Sequence, residues 1–120
     1  MKTVLIVEDV ELNRDLLVQL LEDRYHLAIA EDGEKALAKA AEVKPDLILM
    51  DLSLPLMDGW EATRRLKADA DLSGIPVIVL SAHAMRGDEE RARTSGCDDF
   101  MTKPVDEDVL YAKLARHLGV

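Results

Sequence analysis

Short unbroken apolar runs alternate along the chain with longer stretches in which apolar residues recur every three to four positions. Thr3–Val7, Leu47–Met50 and Val77–Leu80 are β-branched or leucine-rich and lack polar alternation. That is the pattern of strands buried on both faces, as parallel sheets require. Leu27–Ala30 and Asp99–Met101 are weaker strand candidates. Between the runs, Leu12, Leu16, Leu17, Leu20 and Leu21 follow the spacing of one helix face. Ala36, Leu37, Ala40 and Ala41 repeat it with smaller residues, and the stretch from Gly59 to Ala68 carries Trp60, Thr63 and Leu66. Asp88, Glu89 and Glu90 place acids in a first helical turn, where the dipole favours them. A last helix is predicted from Asp106 to Leu118, with Val109, Leu110, Leu114 and Leu118 turned inward. Five βα units in succession predict an α/β fold, a doubly wound five-stranded parallel sheet with helices on both faces. Ala70–Ile75 reads as a loop between helix and strand. One domain over residues 1–120, with no output domain, is the expectation.

Composition narrows the function classes. A chain of 120 residues is sized for one core. Asp and Glu number 24 against 15 Lys and Arg, a net charge of −9 that disfavours direct binding to nucleic acid. No apolar run approaches the roughly 20 residues of a membrane-spanning helix. Met1-Lys2-Thr3-Val4 runs straight into a strand, unlike a signal peptide. Cys97 is the single cysteine, which excludes an internal disulfide framework and a multi-cysteine metal site. The expectation is a cytoplasmic domain.

In open α/β sheets, ligands bind beyond the carboxyl ends of the strands. Glu8 and Asp9 follow the first run, Asp51 the third, Ser81 and Ala82 the fourth, and Lys103-Pro104 the fifth. A single Asp at a strand end is most often a cap or turn residue. Three carboxylates converging on one edge are different, because two of them about 4 Å apart repel by about 4 kcal/mol at an effective dielectric near 20. Oxygen-only ligands point to a hard cation: Mg²⁺, or Mn²⁺ or Ca²⁺.

The motifs Val4-Leu-Ile-Val-Glu-Asp9, Leu49-Met-Asp51-Leu-Ser-Leu-Pro-Leu-Met-Asp-Gly59, Ser81-Ala82 and Phe100-Met-Thr-Lys103-Pro104 resemble, in order and spacing, the response-regulator receiver domain of two-component signalling. The segments around Glu11-Leu-Asn13 and Ala84–Arg91 are similar to single-domain DivK-type regulators, although Val10 stands where those carry Asn. The resemblance implies the flavodoxin-like strand order 2-1-3-4-5. It implies that Asp51 accepts a phosphoryl group from a phosphohistidine on a histidine kinase or histidine phosphotransfer protein. It implies that Asp9, Asp51 and the Ser53 carbonyl hold Mg²⁺, with Glu8 acting through a bound water. Lys103 would bind a phosphoryl oxygen and Ser81 another after transfer, the division of labour of phosphoryl transfer in general. The bond before Pro104 would be cis.

Phe100 occupies the family's switch-aromatic position, which implies that it turns inward as Ser81 moves toward the phosphoryl group. A lone Phe in a strand also reads simply as core. The surface that would change for a downstream protein is the one made by the fourth helix, the fifth strand and the last helix, in a monomer or weak dimer. Ser53 and His83 flank the site and are candidates for tuning the phosphoryl lifetime. Cys97 reads as a small buried residue, His26 and His117 as solvent-facing, and Met57 and Met85 as lining a contact surface. Gly59 fits either the end of the loop after Asp51 or the start of the next helix.

Other readings weaken on single positions. An aspartyl-nucleophile phosphatase of the haloacid-dehalogenase type carries a second acid where Ser53 stands. A flavodoxin-like electron carrier needs a phosphate cradle where Glu8-Asp9-Val10-Glu11 would repel one. A receiver domain cut from a hybrid kinase or a longer regulator is the alternative within the same family.

Overall fold

The computed structural model describes residues 1–52, 54, 57–81 and 94–119. Five strands, β1 (Thr3–Val7), β2 (His26–Ala30), β3 (Leu47–Asp51), β4 (Val77–Ser81) and β5 (Asp99–Thr102), form one parallel sheet in the order β2-β1-β3-β4-β5. The described helices are α1 (Glu11–Leu21), α2 (Gly33–Val43), α3 (Gly59–Ala68) and α4 (Glu107–Leu118). The helix expected to begin near Asp88 lies outside the described residues except for its end at Thr94 and Ser95.

The unbroken apolar runs become strands because each side of the sheet is covered. Leu5, Val7, Ile48, Met50, Val77 and Val79 pack with Ala36 and Ala40 of α2 and Trp60, Ala62 and Leu66 of α3. Val4, Ile6, Leu47, Leu49, Ile78 and Leu80 point the other way, against Leu17 and Leu21 of α1 and Leu110 and Leu114 of α4. Successive strand residues face opposite sides, so burying both faces leaves no room for polar alternation. At about 2 kcal/mol for each fully buried Leu or Ile, these two layers outweigh any single ion pair in holding the sheet together.

Three of the surplus acids are helix caps. Asp32, Asp58 and Asp106 each accept a backbone N–H three residues on, at 2.8, 2.9 and 3.1 Å. Val10 stands at the corresponding place before α1 and supplies no side-chain cap.

Several expected positions are corrected. Leu12 and Leu16 share the α1 spacing but are 78% and 51% exposed, and Val109 of α4 is 44% exposed. The covered stripe of each helix is narrower than its apolar stripe. Met57 is buried in the α2–α3 layer and not on a contact surface. His117 is not solvent-facing: its Nε2 lies 3.0 Å from Asp99 Oδ2. Cys97 is half-buried, and burial raises its thiol pKa.

Candidate functional site

The strand order places the ends of β1, β3, β4 and β5 side by side. The Glu8 N–H donates to the Ala30 carbonyl at 3.0 Å, extending the β1–β2 ladder one residue and fixing where the Glu8 side chain starts. Asp51 closes β3 opposite Leu80, and Ser81 closes β4 opposite Thr102. The Lys103 N–H then donates to the Ser81 carbonyl at 2.7 Å, so the chain leaves β5 directly over the end of β4. The Lys103-Pro104 bond is cis, as the motif implied.

Glu8, Asp9 and Asp51 each bring a carboxylate oxygen to within 4.8 Å of the other two. Glu8 and Asp51 are 1% and 2% exposed, and Asp9 is the most exposed of the three. The Lys103 side chain enters this group from β5, with Nζ 2.8 Å from Asp51 Oδ1 and 3.0 Å from Glu8 Oε1. The expected carboxylate trap therefore already contains one cation. Three ionised carboxylates against one ammonium still leave a two-charge deficit, which a divalent ion matches. The donors are all oxygens, the choice of a hard cation, so the residues present fit Mg²⁺.

The electrostatics follow from the same contacts. Burial raises the Glu8 pKa, the Lys103 hydrogen bond opposes that rise, and the Asp51 charge adds to it. Burial works against the Lys103 ammonium, but hydrogen bonds and charge from Asp51 and Glu8 outweigh it and hold its pKa above the usual lysine value. Burial first, and then the Asp51 charge, thus work against the charge on Glu8, while both carboxylates favour the charge on lysine.

Gly59, the first residue of α3, resolves its two readings into one. Its N–H donates to the Leu52 carbonyl at 3.2 Å. A Cβ there would collide with the Asp51 carbonyl oxygen and lie 2.9 Å from Leu52 Cα. The helix start therefore presses directly on the backbone that carries Asp51. Phe100 is half-buried opposite Val79 and packs on the α2–α3 layer. With Thr102, Pro104, Val109 and Lys113 it also borders a groove of about 420 Å³. Ser81 is buried at the end of β4. Ser53, Ala82, His83 and Met85 lie outside the described residues.

One cluster escaped the sequence reading. Asp99, at the start of β5, accepts from Lys113 Nζ at 2.7 Å and from the Phe100 N–H at 2.8 Å, and pairs with His117. Burial alone would raise its pKa, but Lys113, His117 and the Phe100 N–H together hold it at about 2. A signal existed in the four-residue spacing of Lys113 and His117 on one helix face, but nothing in the sequence paired that face with Asp99.

Comparison with known proteins agrees with this geometry. The response regulator receiver domain family matches residues 4–115. The polar-differentiation response regulator DivK of Brucella anthropi is 44% identical over 119 residues, covering 98% of this chain and 97% of that protein. The receiver domain of a signal transduction histidine kinase from Syntrophus aciditrophicus superposes with a TM-score of 0.93 at 36% identity, covering 99% and 91% of the two chains. The receiver domain of a Pseudomonas aeruginosa sensor histidine kinase, solved with a magnesium ion coordinated in its active-site cleft, gives 0.91 at 33% identity and covers 99% and 98%. The chain belongs to the response-regulator receiver domain family and is a signalling module of two-component systems.

Proposed function

We propose that Asp51 is the phosphoryl acceptor of a phosphorylation-dependent switch. The observation that carries this reading is the Lys103 ammonium held between two buried carboxylates, 2.8 Å from Asp51 Oδ1, beside a three-carboxylate group fitted to a divalent cation. A carboxylate oxygen of Asp51 bonds to phosphorus. The bond from phosphorus to the imidazole nitrogen of a phosphohistidine breaks, and the electron pair stays on that nitrogen. Asp9 and Asp51 would hold Mg²⁺ directly and Glu8 through a bound water, and the ion would neutralise phosphoryl charge; the Ser53 carbonyl, the third ligand the resemblance implies, lies outside the described residues. Lys103 takes a phosphoryl oxygen and Ser81 another, so the chain contributes transfer chemistry to its own modification without being an enzyme acting on other substrates.

The phosphodonor is a histidine kinase or a histidine phosphotransfer protein. Its approach is supported by apolar surface beside the acids. Val10, Leu12 and Leu16 are exposed, and Leu16, Leu17, Leu80, Pro104 and Val105 line a groove of about 380 Å³ with Glu8 and Lys103 at its edge. Read-out runs through Phe100 and the groove it borders, on the face of β5 and α4. The protein works in the cytoplasm, where phosphohistidine donors draw on ATP. Among the described residues no helix is long and apolar enough to cross a membrane.

Incubation with Mg²⁺ and acetyl phosphate, followed by intact mass, tests the reading. The wild-type protein gains one phosphoryl group and Asp51→Asn gains none. Equal gain by both overturns it.

A further inference from the structure

At the amino edge of the sheet, away from the acids, another cavity of about 400 Å³ lies between the end of α1 and the side of α4. Met1, Lys2, Arg24, Tyr25, Tyr111 and Ala115 line it. Lys2 precedes β1 and Glu8 follows it, so about 20 Å of extended chain separates the two.

Two cations border this cavity without a counter-charge. Among the described residues, neither the Lys2 ammonium nor the Arg24 guanidinium has an ion pair or a hydrogen-bond acceptor. Basic side chains near a helix end often serve its last carbonyls. Here those carbonyls are already taken. Leu20 accepts from the Tyr111 hydroxyl at 2.9 Å, Val18 from the Glu22 N–H at 2.8 Å, and Leu21 from the N–H groups of Arg24 and Tyr25 at 2.9 and 3.0 Å. Arg24 instead lies over the Tyr111 ring, 3.9 Å from its centroid, an arrangement that attracts the cation to the ring face. The ring is fixed by its hydroxyl bond, so the guanidinium is held in one place with its N–H donors unspent. Lys2 is anchored as well, its carbonyl accepting the His26 N–H at 2.9 Å. Glu22 and Asp23, the acids before Arg24 in sequence, do not line the cavity.

The geometry points to a binding site for a small phosphorylated ring compound of the nucleoside monophosphate class, its phosphate between Lys2 and Arg24 and its base against the guanidinium and the tyrosines. A guanidinium offers both a fork for phosphate oxygens and a face for a ring. The volume is at the low end of the roughly 300–1,000 Å³ of ligand pockets, room for one ring and one phosphate. The net charge of −9 repels anions at long range. The acidic edge, however, lies about two screening lengths away at 0.1 M salt, so the two local cations prevail.

Amide NMR of the full chain tests the site, with AMP, adenosine and inorganic phosphate as separate probes. Leaving out Mg²⁺ keeps the acidic edge from recruiting phosphate. AMP should shift the amides of Lys2, Arg24, Tyr25, Tyr111 and Ala115 saturably, and each half-ligand should bind at least tenfold more weakly. Arg24→Ala should weaken AMP by about tenfold, the scale of one lost charged hydrogen bond. Arg24→Lys keeps the charge but loses the fork and the stacked face, and should not restore wild-type affinity. Arg64→Ala, which removes an exposed arginine paired with Glu61, should change nothing. Should Arg24→Ala disturb the packing of α1 on α4, Lys2→Ala decides, because Lys2 lies on neither helix, and it too should weaken AMP. Phosphate or adenosine alone binding as tightly as AMP overturns the proposal. So do shifts that never saturate or that centre on Glu8, Asp9 and Lys103, and so does equal loss in Arg64→Ala.

Discussion

The Lys103 ammonium lies 2.8 Å from Asp51 Oδ1, although a whole strand, β4, separates the strands from which the two residues come. The contact exists because the Lys103 N–H is tied to the Ser81 carbonyl, which turns the lysine back across the end of β4. It gives the acidic edge a permanent partial counter-charge.

Replacing that counter-charge is the first prediction. Lys103→Met leaves Glu8 and Asp51 facing each other at a buried edge, at a cost of about 1.5–3 kcal/mol for the lost charged hydrogen bonds. Urea unfolding of the metal-free protein should show that loss with a native-like fold retained, and phosphate uptake from acetyl phosphate should fall. Unchanged uptake would remove Lys103 from the chemistry.

Gly59→Ala tests the coupling of α3 to the acceptor. The added methyl meets the backbone of Asp51 and Leu52, and overpacking of this kind costs about 1–3 kcal/mol. Because the atoms that must move carry Asp51, phosphorylation should slow together with the loss of stability. A variant that is destabilised yet phosphorylated at the normal rate would separate the two.

Phe100→Ala should change partner affinity more than phosphate uptake, since Phe100 borders the groove on β5 and α4 rather than the acidic group. Comparing binding of a partner to the phosphorylated forms of wild type and variant checks this. A variant defective in uptake but normal in partner binding would contradict the assignment.

The Asp99 cluster predicts a pH signature. Its carboxyl is held at about 2 in the folded protein, against an ordinary value of 3.8. A depressed carboxylate stabilises the fold above its unfolded value and loses that contribution as pH falls through the folded one. Asp99→Asn should therefore cost about 2 kcal/mol at neutral pH, with the gap to wild type narrowing below pH 3.8 and closing near 2. Denaturant titrations across that range measure the gap; a gap independent of pH would mean that Asp99 acts by packing alone.

What could be read from the sequence divides along physical lines. Strands buried on both faces leave unbroken apolar runs, so β1, β3 and β4 were legible to within a residue. Strand-end acids were legible as a group because the topology brings all the carboxyl ends to one edge. Leu12, Leu16 and Val109 were misplaced because helical spacing reveals an apolar stripe but not how much of it a neighbour covers. His117 was missed because its partner, Asp99, is eighteen residues away on another element. Gly59 could not be resolved before its distance from the Asp51 backbone was known. Lys103 was assigned to the phosphoryl group, yet its two carboxylate contacts depend on the path of the chain over β4, which no local pattern encodes.

The central claim is that one carboxylate, Asp51, receives the phosphoryl group. Borohydride reduces an aspartyl phosphate to homoserine, so phosphorylation with acetyl phosphate and Mg²⁺, followed by borohydride and peptide mass spectrometry, marks the acceptor directly. The predicted result is homoserine at position 51 and at no other acid, dependent on Mg²⁺. Homoserine at Glu8, Asp9 or a surface acid, or none in a protein that has gained phosphate, would contradict the account.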